Sequence, residues 1–535
     1  MKNYKLFGLS VLSGTLLWAS WPLSPLTGLV FIAFIPMLYL AEVVENKRFF
    51  FLLTFTAMLV WNVLTTWWVW NSTDAGSVAA FIANSLIMCL PWWGYRVCKR
   101  KLGNRIGYLA LVLFWMGFEY IHLNWQLSWP WLTLGNVFAS HPGWVQWYEY
   151  TGTSGGTLWV LVANIVLYQL VKRYIATGNA GIEKTGPRTI TAVMGAVLVL
   201  ALPFILSVLV QPSEASVKGN TTANVLIVQP NIDPYGKNDQ NSIAQQVQTL
   251  LQLTNNNIDS TTKLVVWPET AMSAEGVFED QAANYPPYQP VYQFVWQHPK
   301  TTLVTGIQIL KNYGPEKKTI SAMPYSGGAG YYDAFNAAVC FKLGTQPAYY
   351  HKSKLVPGVE TLPGFLRWMA PIFEKFGGTT GGYGTQDEAS VLQQPGQPYV
   401  VAPIICYESI YGEYVGTYVK KGANLLTIMT NDGWWGNTPG HKQHLQYARL
   451  RAIETRRWVA RSANTGISAV IDAAGEIKET RPWNVPAAIK YNIPMLTGET
   501  FYVLHGDVLS KIALVLGGLL LAWHWLVLVK SRLAK

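Results

Sequence analysis

Residues 400–409 read VVAPIICYES and join a short apolar run to a cysteine where the run ends. The run at 400–405 is typical of a buried strand, and the residues after Cys406 favour a helix, so the thiol is predicted in a nucleophile-elbow-like turn. A helix N-terminus lowers the pKa of a thiol and offers backbone N–H groups to an oxyanion. Cys406 is therefore a candidate nucleophile, with a buried structural cysteine as the alternative.

Two other apolar segments also end in residues capable of chemistry. Residues 264–270 read LVVWPET, so Glu269 is either a general base or an acid at a helix N-terminus. Residues 350–357 read YHKSKLVP, so Lys352 either holds an oxyanion or is a solvated lysine, with Glu360 following it. Strand ends are where open α/β domains place their sites.

The sequence between about 211 and 511 alternates between strand and helix patterns. Strands are predicted at 224–228, 263–267, 302–306, 337–342, 399–406, 424–430 and 466–472, and helices at 240–255, 411–420 and 440–457. This alternation predicts one α/β domain. The glycines at 377–384 predict an irregular loop, which is either a lid over the site or a flexible connection.

The composition of the whole chain indicates a membrane protein. Half of its 535 residues are hydrophobic and 13% are charged, which is about half the charged fraction of soluble chains and excludes both disorder and a fully soluble protein. The formal net charge is +11. The basic residues cluster beside apolar segments, so no nucleic-acid partner is predicted. Four scattered cysteines exclude a disulfide scaffold.

Eight apolar segments are candidates to cross a bilayer, each approaching the length of about 20 residues that a spanning helix needs. Seven occupy residues 1–210, followed by a domain at 211–511, and the eighth lies within 512–535. The predicted helices are 6–21, 26–44, 49–70, 77–95, 106–120, 153–170, 189–210 and 512–529.

The charges of the short connections predict the orientation of these helices. Lys47 and Arg48, then residues 96–105 and 172–188, and finally the C-terminal tail supply lysines and arginines, whereas 22–25, 71–76 and 121–152 contain none. The positive-inside rule therefore places both termini in the cytoplasm and residues 211–511 outside it. The tryptophan-rich connection at 121–152 is either an aromatic belt or a lipid-guiding re-entrant segment.

The order Glu269, Lys352, Cys406 resembles the nitrilase superfamily, which uses a Glu-Lys-Cys triad on an αββα sandwich. Residues 430–435, TNDGWW, are similar to that superfamily's Asn-Asp-Ala-Trp-Phe stretch, and 449–468 resemble the helix and strand after it. The acidic residue of the family's Leu-Val-Pro-Phe-Gly-Glu keeps its place in 355–360, LVPGVE, although the glycine shifts by one.

Over its whole length the chain resembles the bacterial apolipoprotein N-acyltransferases, the membrane-bound branch of that superfamily. The resemblance implies transfer of an acyl chain from a phospholipid to a diacylglyceryl-modified apolipoprotein, at the periplasmic face of the bacterial inner membrane and without a cofactor. It also implies that residues near the triad shape the site or bind substrate, namely Glu360, Tyr407, Glu408, Trp434 and Trp435.

Three other interpretations remain open at this point. The same triad would serve a membrane-tethered amidase that cleaves a small extracytoplasmic amide. A transporter or receptor with an outer ligand-binding domain would give Cys406 no role. His441 and His444 suggest a metal site, but no third ligand is in view. Cys340 is expected to be buried and unpaired.

Overall fold

The structure, a computed structural model, describes residues 2–177, 187–213, 221–235, 242–325, 327–328, 330–362, 364, 366 and 382–533. These residues divide into two compact units. Unit 1 comprises Met1–Trp67, Ser77–Gln211 and His505–Lys535, and unit 2 comprises Trp68–Gly76 and Pro212–Leu504. Most of the loop predicted at 377–384 lies outside the described residues, so its interpretation as a lid stays a prediction.

The α-helices are numbered along the chain. They are α1 (Asn3–Ala19), α2 (Ile35–Val43), α3 (Lys47–Thr66), α4 (Asp74–Leu102), α5 (Asn104–Leu123), α6 (Tyr148–Thr151), α7 (Thr153–Thr177), α8 (Pro187–Leu209), α9 (Ile243–Asn255), α10 (Gln289–Gln297), α11 (Gly412–Lys420), α12 (Pro439–Thr455), α13 (Phe501–His505) and α14 (Val508–Leu533).

Within the described part of the chain, six helical segments are long and apolar enough to cross a membrane. They lie in α3 with the turn after it, α4, α5, α7, α8 and α14. The first two predicted spans are shorter helices, because α1 has 17 residues and α2 has nine.

The helix predicted at 26–44 is interrupted, and a side chain from α7 explains why. A 3₁₀ turn, Thr27–Phe31, is separated from α2 by a break. Asn164 bridges that break, since its Oδ1 accepts a hydrogen bond from Phe34 N over 2.7 Å and its Nδ2 donates to Val30 O over 2.8 Å. The buried amide thereby replaces backbone hydrogen bonds that a continuous helix would have made.

The connection at 121–152 is folded into unit 1. It contains three 3₁₀ turns and α6. Trp131 and Trp147 are buried, whereas Trp125 is 37% exposed. An aromatic belt at the surface therefore describes only part of this segment.

Unit 2 contains fourteen strands in the described residues. They are β1 (Thr222–Gln229), β2 (Thr262–Val266), β3 (Met272–Phe278), β4 (Thr302–Gly314), β5 (Met323–Pro324), β6 (Tyr331–Phe341), β7 (Ala348–His351), β8 (Leu392–Gln393), β9 (Val400–Ile405), β10 (Leu425–Thr430), β11 (Trp458–Ala463), β12 (Ala469–Ile471), β13 (Ile477–Thr480) and β14 (Ala487–Pro494).

These strands form two sheets. The first has the order β14-β1-β2-β4-β6-β5, with β3 on β4 and β7 on β6, and the second has the order β13-β12-β11-β10-β9-β8. The pairs β1–β2, β2–β4, β9–β10 and β10–β11 are parallel. The predicted strands and helices of this domain are confirmed, but β4 continues eight residues beyond its predicted end, β6 begins six residues before its predicted start and β12 is shorter than predicted.

Alternation along the strands creates the layers. In β1, Val225 and Ile227 enter the core shared with the second sheet, whereas Leu226 and Val228 pack in the cluster that contains residues of α9 and α10. Residues of α11 and α12 join the core of the second sheet. The result is an αββα sandwich, as the resemblance implies.

Candidate active site

Glu269, Lys352 and Cys406 stand at the ends of three strands and meet in unit 2. Glu269 follows β2, Lys352 follows β7 directly, and Cys406 follows β9 directly. Lys352 Nζ lies 3.2 Å from Glu269 Oε1. The Cys406 thiol interacts electrostatically with both charges. The fold therefore brings together three residues that are separated by 83 and 54 positions in the sequence.

Lys352 is the cation between two carboxylates. Its Nζ lies 2.8 Å from Glu360 Oε1 in addition to its contact with Glu269, and the residue is 1% exposed. Burial alone lowers the pKa of Lys352, but the carboxylates of Glu360 and Glu269 more than offset it and hold that pKa well above its usual value. The interpretation of Lys352 as a solvated lysine is therefore wrong.

Asn336 completes this cluster and was not predicted from the sequence. Its Nδ2 donates to Glu269 Oε1 over 2.8 Å and to Glu360 Oε1 over 2.9 Å, and its backbone O accepts from Lys352 N. An amide inside the otherwise buried apolar run of β6 is the signal that would have identified it. We call Glu269, Lys352, Glu360 and Asn336 the carboxylate–lysine cluster.

Glu269 lies in a turn between β2 and β3. In this described segment no helix begins at Glu269, so its interpretation as an acid at a helix N-terminus is wrong. Glu269 Oε2 accepts a hydrogen bond from Asn431 N over 3.0 Å. Gly306 lies against the turn, and a Cβ there would stand 2.5 Å from Pro268 O and 2.6 Å from Glu269 Cα. A side chain at 306 would therefore displace the carboxylate.

The turn that carries Glu360 accommodates the shifted glycine of LVPGVE. Gly358 has φ +80°, a conformation that favours glycine, and its N–H donates to Thr361 O. The turn returns the carboxylate toward the lysine, with Val356 N donating to Glu360 Oε2 over 2.8 Å.

Cys406 occupies a sharp turn, and one expectation about it is corrected. Its φ is +47°, and it begins a 3₁₀ helix of five residues where an α-helix was expected. Burial and the negative charge of Glu269 raise the pKa of the Cys406 thiol well above its usual value, although Lys352 opposes them. The predicted lowering of this pKa by a helix N-terminus is therefore wrong.

Glu408 lies two residues after Cys406 and joins two of the strand ends. Its Oε1 accepts from Tyr350 OH over 2.6 Å and from the backbone N–H groups of Ser353 and Lys354. Its Oε2 accepts from Ile405 N over 2.9 Å. The fully buried carboxylate thus ties the Cys406 turn to the Lys352 loop.

The three predicted aromatic residues occupy different environments. Tyr407 is buried, with its ring edge-on to Tyr411 at 5.3 Å between centroids. Trp434 is 40% exposed and packs edge-on against Tyr235. Trp435 packs against Trp68 at 4.7 Å between centroids.

The two histidines considered as metal ligands have other neighbours. The His441 ring stacks on Trp483, with 4.1 Å between centroids. His444 contacts Asp432 through Nδ1 over 2.9 Å. Cys340 is buried and free, as predicted, and Gln394 Nε2 donates to its sulfur.

Comparison with known proteins places the chain in a family. The sequence profile of Carbon-nitrogen hydrolase matches residues 224–497, and that of the Apolipoprotein N-acyltransferase N-terminal domain matches residues 13–166. The apolipoprotein N-acyltransferase of Chlorobaculum tepidum is 31% identical over 527 residues, which cover 96% of each chain. The chain belongs to the apolipoprotein N-acyltransferase family.

A more distant member of the apolipoprotein N-acyltransferase family, from Geobacter metallireducens, is 26% identical over 94% of this chain and 92% of its own. Among solved structures, an amidase from Nesterenkonia sp. is 16% identical, with a TM-score of 0.36 over 55% of this chain and 97% of that one. Unit 2 has the nitrilase-like fold, and the family together with the apolar helices makes this chain a multi-pass membrane protein.

Proposed function

We propose that this chain transfers a fatty acyl chain from a phospholipid to the N-terminal amine of the diacylglyceryl-cysteine of an apolipoprotein. The observation that carries the proposal is a cysteine within the electrostatic reach of a Lys352 that is held between Glu269 and Glu360. The relatives that match almost the whole chain carry the name of this activity.

In the first half-reaction Glu269 takes the proton of the Cys406 thiol. The sulfur bonds to the ester carbonyl carbon of the phospholipid, while Lys352 and backbone N–H groups hold the oxyanion. The ester C–O bond then breaks, and Glu269 returns its proton to the leaving oxygen. A lysophospholipid departs and a thioester remains on Cys406. In the deprotonation step the proton moves from Cys406 to Glu269, so the net charge beside Lys352 does not change in that step.

In the second half-reaction the apolipoprotein amine attacks the thioester carbon. The C–N bond forms, the C–S bond breaks, and Glu269 passes the proton of the amine to the departing sulfur. The amide product leaves and the thiol is restored. The scheme is ping-pong and needs no cofactor.

Both substrates carry acyl chains that cost about 0.8 kcal/mol per CH₂ to expose to water. A membrane-bound enzyme avoids this cost. We place the chain in the bacterial inner membrane, with eight spanning helices and residues 211–511 on the periplasmic side. Glu360, Tyr407, Glu408, Trp434 and Trp435 are proposed to shape the site or bind substrate. The amidase alternative is disfavoured by the match of residues 13–166.

Replacement of the nucleophile tests the proposal. Cys406→Ser keeps the shape of the side chain but exchanges the thiol for a hydroxyl of much higher pKa, so transfer from phospholipid to a purified apolipoprotein is expected to stop. Cys340→Ser is the matched control at a buried, free cysteine and is expected to retain transfer. Wild-type turnover by Cys406→Ser would contradict the covalent scheme.

A further inference from the structure

A line of four buried polar side chains runs beneath Cys406, separate from the carboxylate–lysine cluster. Arg461 Nη2 donates to Asp432 Oδ2 over 2.6 Å, and Asp432 Oδ1 lies 2.9 Å from His444 Nδ1. His444 Nε2 lies 2.8 Å from Ser409 Oγ. We call Arg461, Asp432, His444 and Ser409 the buried chain, and all four residues are 0% exposed.

The buried chain ends on the main chain of Cys406. The Ser409 hydroxyl donates to Cys406 O over 2.7 Å, and His444 Nε2 lies 3.2 Å from the same oxygen. The carbonyl oxygen of Cys406 can only accept, so the Ser409 hydroxyl donates to it, and His444 Nε2 lies within hydrogen-bond distance of both oxygens. The order acid, imidazole, hydroxyl is that of a hydrolase triad, but this hydroxyl is aimed at a backbone carbonyl and is closed to substrate.

A second contact links the buried chain to the side chain of the nucleophile. Thr430 Oγ1 donates to Asp432 Oδ1 over 2.7 Å, and both side chains interact electrostatically with the Cys406 thiol. The same aspartate therefore supports both the imidazole under the carbonyl and the hydroxyl beside the sulfur.

We propose that His444 is a positioning residue for acyl transfer, which holds the carbonyl of Cys406 and thereby keeps the nucleophile in its left-handed conformation. A positive φ is unfavourable for a residue with a Cβ, and it persists only where neighbouring groups enforce it. At Cys406 those groups are the Ser409 hydroxyl, which donates to the carbonyl oxygen, and the His444 ring, which contacts both oxygens and whose Nδ1 lies beside Asp432 and Arg461. The proposal rests on Cys406 being the nucleophile.

Two amide substitutions of His444 distinguish a positioning role of its Nε2 from a role in which the ring only fills space. The amide of His444→Gln reaches the position of Nε2, so it can still contact Ser409 and Cys406 O. The shorter amide of His444→Asn reaches only the position of Nδ1 and keeps the contact with Asp432. Both variants are neutral and polar, so they differ mainly in reach.

The test measures alkylation of Cys406 by iodoacetamide in detergent without lipid, and then the KM and kcat for phospholipid. Since a misplacement of about 1 Å can cost ~10²-fold in rate, we expect His444→Asn to alkylate and acylate at least ~10-fold more slowly than His444→Gln, with KM unchanged. Equal alkylation rates in two folded variants would overturn the proposal. Alkylation needs no acyl transfer, so this outcome is distinct from failure of the proposed function.

A second pair of variants, at Ser409, tests the proposal if either histidine variant does not fold. Ser409→Ala removes the hydroxyl from Cys406 O and leaves the contact of His444 with Asp432, whereas Ser409→Thr restores a hydroxyl. Slower alkylation in Ser409→Ala with recovery in Ser409→Thr supports the proposal. The same alkylation rate in both variants overturns it.

Discussion

Cys406 is flanked by two polar clusters built from similar groups, which differ in how completely they are buried. The carboxylate–lysine cluster joins Lys352 to Glu269 and Glu360, and the buried chain joins Arg461 to Asp432 and His444. Glu269 is 5% exposed and Cys406 9%, whereas Asp432 and His444 are 0% exposed. In the mechanism we propose, the slightly exposed cluster exchanges protons with the substrate, whereas the fully buried one holds its neighbours in place.

The largest effect is expected at Lys352, which we propose holds the oxyanion. Lys352→Arg replaces a compact ammonium with a planar fork that does not match the space between two carboxylates. We expect the acylation rate to fall ~10²- to 10³-fold, as when one oxyanion donor is removed, while the protein folds normally. Single-turnover acylation with phospholipid measures the effect.

Lys354→Met is the control for this substitution, because the Lys354 ammonium lies over the rings of Tyr411 and Tyr414. It is expected to keep nearly normal acylation. Near-normal acylation by Lys352→Arg would instead remove Lys352 from the mechanism.

Asp432→Asn tests how much the buried chain contributes to the free energy of unfolding. It leaves the buried Arg461 guanidinium without its carboxylate, and breaking such a pair costs about 3–5 kcal/mol. Chemical denaturation in detergent should show this loss. A destabilisation below about 1 kcal/mol would mean that the pair does not hold the site together, since that is the scale of surface pairs.

The pH dependence of this loss follows from the pKa of Asp432. Burial raises that pKa, but the Arg461 guanidinium and His444 more than offset it and hold it below its usual range. Its contribution to stability is then complete above the unfolded pKa of about 3.9 and is lost as the pH falls through the folded pKa. The difference between wild type and Asp432→Asn should be constant from about pH 5 to 8 and shrink below about pH 4.

The sequence predicted one of these clusters better than the other, for a physical reason. Glu269, Lys352 and Cys406 each stand where an apolar run ends, which is a local pattern. Asn336 and the pairing of Asp432 with His444 depend on side chains that meet only after the sheets form.

The same distinction holds for the fold. Strands such as β1 and β10 were predicted because they are continuous buried runs. The strand patterns missed β3, β5, β7, β8, β11, β13 and β14. In β13 and β14 the burial is partial and polar residues such as Lys490 occur, whereas in the fully buried β11 the polar Arg461 and Ser462 interrupt the apolar run. The direction of the shift in the pKa of the Cys406 thiol could not be predicted from local sequence either. Burial and the charge of Glu269 raise this pKa, and both arise only in the folded site.

Asn336→Leu tests the contribution of the Asn336 amide to the carboxylate–lysine cluster. It removes one amide that donates to both carboxylates, and hydrogen bonds to charged groups contribute about 1.5–3 kcal/mol. We therefore expect kcat to fall by about 10-fold or more with KM little changed. A change in KM alone would assign Asn336 to substrate binding.

Trp434→Ala is expected to have the smallest effect, because the side chain is 40% exposed and contacts Tyr235 edge-on. Because we propose that Trp434 binds substrate, its removal is expected to raise the KM for phospholipid several-fold and to leave kcat unchanged. Trp296→Ala, at a 70% exposed position in α10, is the control and should change neither constant. Equal effects of the two substitutions would remove Trp434 from the substrate site.

Detection of the covalent intermediate is the most direct test of the proposed ping-pong scheme. The purified protein is incubated with phospholipid in the absence of apolipoprotein, and its intact mass and peptide masses are measured before and after neutral hydroxylamine. We predict one acyl chain per molecule, located on Cys406, released by hydroxylamine and absent from Cys406→Ser. Transfer to a later-added apolipoprotein by a wild-type protein that never carries acyl on Cys406 would contradict the account.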